Sequence, residues 1–331
     1  MTGKKRIAMI GGGSWGTALT KVLLQNNNRI HWYMRNRENI DFIKKYHHNP
    51  NYLSSILLDT GRIAFHDNLN DTIREGDILI FAIPSAFLHD VLAAANICLK
   101  QKRVVSAVKG IIPGHKLILS DYFSRVWNVD PVDYCMITGP SHSEEVALER
   151  LTYLTIACRN SATAVEIAHL FRCHYVRTAI SDDVAGMEYA AVMKNIYAMA
   201  VGIAHGLGYG DNFLAVLVAN AAQEMKNFLH SVYPVLRDIK CSAYLGDLIV
   251  TAYSQFSRNR IFGTMIGKGY SIRAARVEMN MVAEGYYAVQ PVMDINRQYQ
   301  VSLPIVEAVN NILFKEGSPA VEFRRLSELI N

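Results

Sequence analysis

The sequence predicts an α/β fold in the first part of the chain and an all-α fold in the second. Short apolar runs recur through residues 1–181 and alternate with segments of helical apolar spacing, the order typical of a doubly wound parallel sheet. A glycine-rich turn separates the first apolar run from the first helical segment. From about residue 182 the strand signal fades, and long stretches rich in Ala, Leu and Met follow. We therefore expect two domains, residues 1–181 and residues 182–331.

Composition and charge exclude several classes of protein. The chain has 331 residues, of which 50% are hydrophobic and 19% charged, which excludes disorder, collagen-like repeats and coiled coil. The formal net charge of +5 comes without a long Lys/Arg run, which argues against a nucleic-acid partner. Five widely spaced cysteines without a Cys-x-x-Cys pair predict reduced thiols in the cytoplasm and no metal site. No apolar segment is long enough to predict membrane insertion.

The predicted strands are the short apolar runs of the first domain. They cover residues 7–10, 29–34, 78–83, 104–108, 134–137 and 154–158. The helical spacing of apolar residues over 17–25 and 87–99 predicts helices that can form the crossover connections between parallel strands.

The predicted helices of the second domain are four long apolar stretches. They cover residues 183–204, 213–229, 282–299 and 304–313. The cluster Gly202, Gly206, Gly208 and Gly210 predicts a loop after the first of these helices.

The first predicted strand is followed directly by Gly11-Gly12-Gly13-Ser14-Trp15-Gly16, a G-x-G-x-x-G motif. Gly11 permits the tight turn, Gly13 lets backbone amides approach a pyrophosphate, and Gly16 allows the helix to pack closely on the strand. A glycine-rich turn with a structural role alone is the alternative. The position between strand and helix favours dinucleotide binding, so we expect the first domain to be of the Rossmann type.

The end of the second predicted strand indicates which dinucleotide is preferred. An NAD site usually has an acidic residue here to bind the ribose 2′-hydroxyl, whereas this sequence has Met34-Arg35-Asn36-Arg37. Arg35 and Arg37 could accept a 2′-phosphate, because a guanidinium matches phosphate oxygens, and no carboxylate is expected there to repel it. We therefore expect NADP(H) to be favoured, with NAD also used. Solvated surface arginines are the alternative.

Lys194 is a candidate for acid–base chemistry. With Asn195 it lies inside the apolar helical stretch 189–199, where a buried ammonium is costly unless it is paired or its pKa falls. A lysine with a lowered pKa suits proton exchange with a substrate hydroxyl. A lysine that reaches solvent from the helix edge is the alternative. Asp247, at the start of another helical run, could hold Lys194 or simply favour a helix N-terminus.

Three further segments supply polar groups. Lys109 ends one predicted strand and Thr138-Gly139-Pro140-Ser141 follows another, at the sheet edge where open α/β folds collect ligands. Ser257-Arg258-Asn259-Arg260 precedes an apolar helical run and combines hydroxyl, guanidinium and amide donors. This segment predicts a phosphate cradle, with simple capping by Ser257 as the alternative.

Taken together, these segments resemble the bacterial-type NAD(P)-dependent glycerol-3-phosphate dehydrogenase family. The resemblance covers nearly the whole chain through residues 11–19, 83–85, 107–110, 138–141, 192–195, 245–247, 257–263 and 283–286. It implies a nucleotide-binding domain, a helical domain and an active site between them. It also implies reversible reduction of dihydroxyacetone phosphate to sn-glycerol 3-phosphate for glycerophospholipid synthesis, and it is compatible with a homodimer.

The resemblance implies roles for individual residues. Lys194 would be the proton acceptor, and Lys109 would contact both substrate and cofactor. The substrate would be held by Lys109, Gly139, Ser141, Lys194, Asp247, Ser257, Arg258 and Asn259. The nucleotide would be contacted by Ser14, Trp15, Arg35, Lys109, Ser143, Arg258, Val282 and Glu284, in addition to Gly11, Gly13, Gly16 and Arg37.

Two other functions fit parts of the sequence. A β-hydroxyacid dehydrogenase relative would share both domains and an active-site lysine, but its Lys-x-x-Asn pair lies one helical turn apart, whereas Lys194 and Asn195 are adjacent. A nucleotide-sensing protein would keep the fold without turnover. The sequence departs from the resembled family at His142, Glu144 and Tyr244, positions that bear on loop detail and turnover more than on reaction class.

Overall fold

The computed structural model describes residues 5–26, 28–279 and 283–331. The chain divides into an α/β unit, which runs to Val108 and resumes at Leu117–Val184, and a helical unit, which consists of Lys109–Lys116 and Ala185–Asn331. The predicted fold class is confirmed. The segment that carries Lys109 is grouped with the helical unit, although it follows a strand of the α/β unit in sequence.

A sheet of eight strands forms the centre of the α/β unit, counted over the described ranges. Its strands are β1 (Ile7–Ile10), β2 (Ile30–Tyr33), β3 (Ile63–His66), β4 (Ile78–Phe81), β5 (Arg103–Ser106), β8 (Tyr134–Thr138), β9 (Thr152–Cys158) and β10 (Val176–Ser181), and the strands β6 (Ile111–Ile112) and β7 (Leu117–Ile118) lie outside it. The spatial order is β10-β9-β8-β5-β4-β1-β2-β3. All six predicted strands are present. The sequence missed β3 and β10 because these outer strands are partly exposed and lack a continuous apolar run.

The sheet is mixed, and the expectation of a wholly parallel sheet is wrong at one edge. Strands β8 and β9 pair antiparallel, with Thr138 opposite Thr155, whereas the other pairs are parallel. The connection between β8 and β9 contains only the five-residue helix Ser143–Ala147. This connection turns the chain back beside β8. A parallel crossover would instead carry the chain across a face of the sheet.

Seven helices accompany the sheet in the part of the unit that the structure describes. They are α1 (Ser14–Gln25), α2 (Arg37–Tyr46), α3 (Leu69–Glu75), α4 (Ser85–Ala93), α5 (Leu119–Trp127), α6 (Ser143–Ala147) and α7 (Ser161–Phe171). Asparagine side chains cap the N-termini of three of these helices: Asn36, Asn68 and Asn160 accept hydrogen bonds from first-turn amides of α2, α3 and α7, respectively. Such caps satisfy amides that have no partner within the helix.

The helical unit is built around one buried helix. Its helices are α8 (Val184–Gly206), α9 (Asp211–Val232), α10 (Asp247–Tyr253), α11 (Arg258–Gly267), α12 (Ile272–Glu278), α13 (Glu284–Tyr299), α14 (Pro304–Phe314) and α15 (Pro319–Leu329). Helix α8 is buried on every side from Ala190 to Ala204, which accounts for its nearly unbroken apolar sequence. In the described part of the chain, no helix combines the length and apolarity needed to cross a membrane.

The prediction of a loop at Gly202 and Gly206 is wrong, because both residues lie inside α8. A Cβ atom at Gly202 would come within 2.1 Å of the Arg260 carbonyl oxygen, and one at Gly263 of α11 within 2.1 Å of the Met199 carbonyl oxygen. Helices α8 and α11 therefore pack backbone against backbone. These glycines mark a helix contact and not a chain turn.

Candidate functional site

The glycine turn after β1 has the geometry that the sequence motif predicts. Gly11 has φ +124°, and a Cβ there would come within 2.5 Å of the Ala82 carbonyl oxygen. A Cβ at Gly16 would lie 2.3 Å from the Gly11 carbonyl oxygen. Gly13 differs, because a Cβ there would meet nothing within 4 Å. The turn is therefore closed on its inner side and open at Gly13, where α1 begins.

The open side of this turn fits a nucleotide pyrophosphate. The first-turn amides of a helix have no intrahelical partners and favour an anion, and no acidic residue lies in the first turn of α1. Ser14 is buried beside the turn. The indole Nε1 of Trp15 is buried and has no hydrogen-bond partner among the described residues. The residues predicted for the cofactor turn are thus brought together with unused donors.

The end of β2 differs from the prediction in one respect. Arg35 and Arg37 are both exposed, as a 2′-phosphate site requires. The expectation that no carboxylate lies there is wrong, because Asp67, which follows β3, lies 3.8 Å from the Arg37 guanidinium. The sequence did not show this pair because β2 and β3 are neighbours only in the sheet. Arg37 therefore has an anionic partner already.

The turn after β8 contains the predicted Gly139, Ser141 and Ser143. Gly139 has φ +112°, and a Cβ there would lie 2.7 Å from the Tyr153 carbonyl oxygen. The Ser141 hydroxyl donates to the Gly139 carbonyl oxygen at 2.9 Å, and the Ser143 hydroxyl donates to Glu144 at 3.0 Å. Helix α6, which begins at Ser143, packs against α1. This contact brings the turn after β8 to the helix that begins at the glycine turn.

A cluster of three charged side chains lies in the helical unit. Lys194 of α8 and Asp247, the first residue of α10, are only 3% and 1% exposed and form a direct ion pair. The Lys109 ammonium lies 4.0 Å from the second oxygen of Asp247. The alternative in which Lys194 reaches solvent is therefore wrong. A π-helical turn, Ser242–Gly246, leads into α10 and contains the buried Tyr244, one of the departures from the family pattern.

The structure decides the direction of the pKa shift at Lys194, which the sequence left open. Burial lowers the pKa of Lys194, the Asp247 carboxylate raises it, and the Lys109 ammonium lowers it again. The net pKa is lowered because two ammonium groups share one carboxylate in a buried place. A lysine of this kind can exchange a proton nearer to neutral pH than an exposed one.

A buried amide network lies next to Lys194. The Asn195 amide donates to Glu284 at 3.2 Å, and the Asn259 amide donates to the Asn195 oxygen at 3.0 Å. The Asn259 oxygen accepts from the Gly285 amide at 2.8 Å, in the first turn of α13. Asn259 therefore serves the packing of α8, α11 and α13, whatever further contact it makes. Asn195 was not predicted as a site residue, although a polar residue inside an apolar helix was a signal for it.

The predicted phosphate segment begins α11. The Ser257 hydroxyl accepts from the Arg260 amide at 3.4 Å, so the capping alternative is correct for this side chain. Arg258 is half-buried, and its guanidinium has no ion pair or hydrogen bond within the described ranges. Val282 lies outside the described residues.

An α/β sheet with a nucleotide-type glycine turn, joined to a helical unit with a buried lysine, defines the class of two-domain nicotinamide-dependent dehydrogenases. Residues 6–164 match the model of the NAD-dependent glycerol-3-phosphate dehydrogenase N-terminus, and residues 183–323 match that of its C-terminus. The chain belongs to the NAD-dependent glycerol-3-phosphate dehydrogenase family, which confirms the resemblance.

Proteins similar over nearly the whole chain agree with this assignment. The NAD(P)+ glycerol-3-phosphate dehydrogenase of Agathobacter rectalis is 34% identical, over 98% of this chain and 95% of its own. That of Bacillus velezensis is 35% identical, over 94% of this chain and 90% of its own. The crystal structure of glycerol-3-phosphate dehydrogenase from Coxiella burnetii matches with a TM-score of 0.89 at 26% identity, covering 98% of this chain and 99% of that one.

Proposed function

We propose that this protein reversibly reduces dihydroxyacetone phosphate to sn-glycerol 3-phosphate with NAD(P)H, and that the product serves glycerophospholipid synthesis. The observation that carries the proposal is the cluster of the buried Lys194 and Asp247 with the half-buried Lys109. It combines a proton-exchanging amine with a second cation suited to an anionic substrate. The names of the relatives and the open glycine turn support the same activity.

Lys194 is proposed as the proton donor and acceptor. In reduction its ammonium gives a proton to the oxygen that develops negative charge, and in oxidation its neutral amine removes the hydroxyl proton. The lowered pKa brings these two protonation states closer in free energy. Asp247 holds the Lys194 amine in one direction and keeps the ammonium form accessible despite burial. When bound, NAD(P)H supplies the hydride.

The phosphate of the substrate is assigned to Arg258 at the start of α11. A guanidinium can form two parallel hydrogen bonds with a phosphate, and the helix N-terminus adds a favourable dipole. Phosphate binding at a distance from the reacting carbon orients the substrate for reaction. In this proposal Lys109, Gly139 and Ser141 complete substrate binding, and Ser257 and Asn259 fix the segment that carries Arg258.

The nucleotide is assigned mainly to the turn after β1. The amides that begin α1 bind the pyrophosphate, and Arg35 and Arg37 bind the 2′-phosphate when NADP is used. Further contacts are assigned to Ser14, Trp15, Lys109, Ser143, Arg258, Val282 and Glu284. Residues 1–181 are proposed as the nucleotide-binding domain and residues 182–331 as the substrate-binding domain.

The direct test follows the loss of reduced-nicotinamide absorbance with purified protein and dihydroxyacetone phosphate, in parallel with NADH and NADPH. We expect oxidation of both cofactors, faster with NADPH at equal subsaturating concentration. A 3-oxo carboxylic acid serves as the control substrate: turnover of that compound alone would favour the β-hydroxyacid dehydrogenase alternative. Nucleotide binding without turnover of either compound would favour a sensor.

We further propose that the enzyme works in the cytoplasm, as a homodimer, and without nucleic acid. The five cysteines are unpaired, which suits a reducing compartment. Apolar side chains of α10 and α11 and their connection, among them Tyr253, Phe256 and Ile261, are exposed and suit self-association. Light scattering after size-exclusion chromatography tests the dimer, and a single species at the monomer mass would contradict it.

A further inference from the structure

Two buried cysteines lie opposite each other in the sheet. Cys135 of β8 and Cys158 of β9 are paired in the antiparallel ladder, and both are free and fully buried. Directly opposite residues in such a ladder have Cα atoms about 4.5 to 5.5 Å apart, and their side chains point to the same face. Disulfides span Cα separations of about 4.4 to 6.8 Å. The backbone therefore already has disulfide spacing at this pair.

The two thiols interact with each other and with neighbouring polar groups. The Cys135 thiol shares a hydrogen bond with Cys158, which lowers the pKa of Cys158 and raises that of Cys135. Burial and the Asp133 carboxylate oppose the lowering of the Cys158 pKa, whereas the Asn160 amide and the Arg103 guanidinium favour its thiolate. The thiolate is the nucleophilic form of cysteine, and an oxidised cysteine is resolved by a neighbouring thiol. The Cys158 thiol also donates to the Val132 carbonyl oxygen at 3.5 Å, a hydrogen bond that its thiolate would lose. Either sulfur can therefore attack the oxidant, and the other then resolves the oxidised cysteine.

We propose that Cys135 and Cys158 form a reversible disulfide in response to hydrogen peroxide. One thiolate of the pair attacks one peroxide oxygen, which gives a sulfenic acid and a hydroxide that takes up a proton to become water. The other thiol then attacks the sulfenic sulfur, loses its proton and releases a second water. Two thiols are oxidised and one peroxide is reduced to two waters. A small thiol reductant reverses the reaction by exchange.

The position of the pair predicts what the disulfide does. It joins β8 to β9 at the end of their ladder that is farthest from residues 139–151, which carry Gly139, Ser141 and Ser143, because the Thr138–Thr155 pair lies nearest that segment. Because the backbone spacing already fits, we expect the fold and the turnover to be retained within about two-fold and the thermal stability to rise. Oxidation then protects the core, since a sulfinic acid on a buried cysteine would introduce an unpaired charge there.

Burial also predicts which oxidant works. Hydrogen peroxide is close to water in size and can reach Cys158, the last residue of β9, through small local openings. Glutathione disulfide is far larger and requires the strands to separate. The exposed Cys98 is open to both reagents and serves as the internal reference.

The experiment treats the folded full-length protein with peroxide, blocks remaining thiols by alkylation and maps linked peptides by mass spectrometry. We expect a Cys135–Cys158 linked peptide that disappears on reduction, and a Tm higher by roughly 5 to 15 °C. A variant with Cys98→Ser, Cys173→Ser and Cys241→Ser should still form the link, and adding Cys158→Ala should abolish it.

Three results would overturn the proposal. The first is the absence of the linked peptide from wild-type protein at a peroxide dose that fully oxidises Cys98, a measurement that needs no core substitution. The second is a lower Tm in the cross-linked protein. The third is equally fast linking by glutathione disulfide and by peroxide. None of these readouts depends on the proposed dehydrogenase activity.

Discussion

Replacing Asp247 with Asn should move the pH dependence of turnover to lower pH. The Asp247 carboxylate is in direct contact with Lys194 and lies 4.0 Å from the Lys109 ammonium, and both members of the contact are buried. It therefore raises the pKa of Lys194 against the effects of burial and of Lys109. The variant Asp247→Asn keeps the shape of the side chain and removes its charge, so the two lowering effects act unopposed.

The size of this shift follows from the separation of the charges. Asp247 lies closer to Lys194 than the 4.0 Å that separates it from Lys109. Even at about 4 Å, two unit charges interact by about 4 kcal/mol at an effective dielectric constant of about 20. One pKa unit corresponds to about 1.36 kcal/mol, so the pKa of Lys194 should fall by roughly 2 to 3 units. In oxidation of sn-glycerol 3-phosphate, Lys194 must be neutral to accept the proton. Turnover therefore rises with pH through this pKa, and the rising limb should begin at lower pH in Asp247→Asn.

The assay measures initial rates of NAD(P)+ reduction by sn-glycerol 3-phosphate over the pH range in which the protein stays folded. The matched control is Lys194→Met, which removes the titrating amine and should lose roughly 10²- to 10⁴-fold in turnover at every pH while nucleotide binding is retained. An unshifted limb in Asp247→Asn, or a shift to higher pH, would refute the electrostatic argument. Near-normal turnover in Lys194→Met would refute the proton role of the lysine.

Four further predictions concern binding and stability. Arg258→Ala should raise KM for dihydroxyacetone phosphate at least 10-fold, since a charge-assisted phosphate contact contributes about 1.5 to 3 kcal/mol, and an unchanged KM would count against the phosphate assignment. Asp67→Asn should free Arg37 and raise the ratio of kcat/KM for NADPH to that for NADH by roughly 2- to 5-fold, more at low salt than at high salt. Arg37→Ala should lower this ratio. A ratio that neither substitution changes would contradict the 2′-phosphate role. Gly202→Ala should reduce the free energy of unfolding by about 1 to 3 kcal/mol or more in urea, because its Cβ would meet the Arg260 carbonyl oxygen, whereas Gly61→Ala, whose Cβ would meet only the Asp59 side chain at 3.4 Å, should be close to neutral. Glu224 accepts hydrogen bonds from the amides of Ile305 and Val306 at the start of α14, and burial raises its pKa to about 8. Between about pH 4.5 and 8 the folded state therefore holds a proton that the unfolded state has lost, so the free energy of unfolding should fall as pH rises through this range. Glu224→Gln should flatten that part of the dependence of stability on pH.

Local signals allowed much of the fold and of the cofactor turn to be predicted. Five of the six predicted strands are runs of apolar residues buried on both faces of the sheet, whereas β2 alternates buried and half-buried residues. The long helices were predictable from apolar stretches that are visible without knowledge of their neighbours. The glycine turn was predictable because its strain is local: Gly11 needs its positive φ. Lys194 stood out because an ammonium inside an apolar helix demands a partner, and Asp247 was the partner that the sequence analysis named.

The tertiary structure decided everything that depends on two segments distant in sequence. The antiparallel pairing of β8 with β9, the contact of Gly202 with α11, and the position of Asp67 beside Arg37 all join residues between which the sequence carries no mark of proximity. The direction of the pKa shift at Lys194 belongs to the same group. The sequence by itself determined which chemical groups the protein has and at what spacing its apolar residues recur along buried strands and helices. The electrostatic energy of those groups depends on distance and desolvation, and only the folded chain sets how far Lys109 and Asp247 lie from Lys194 and how much water is removed around them.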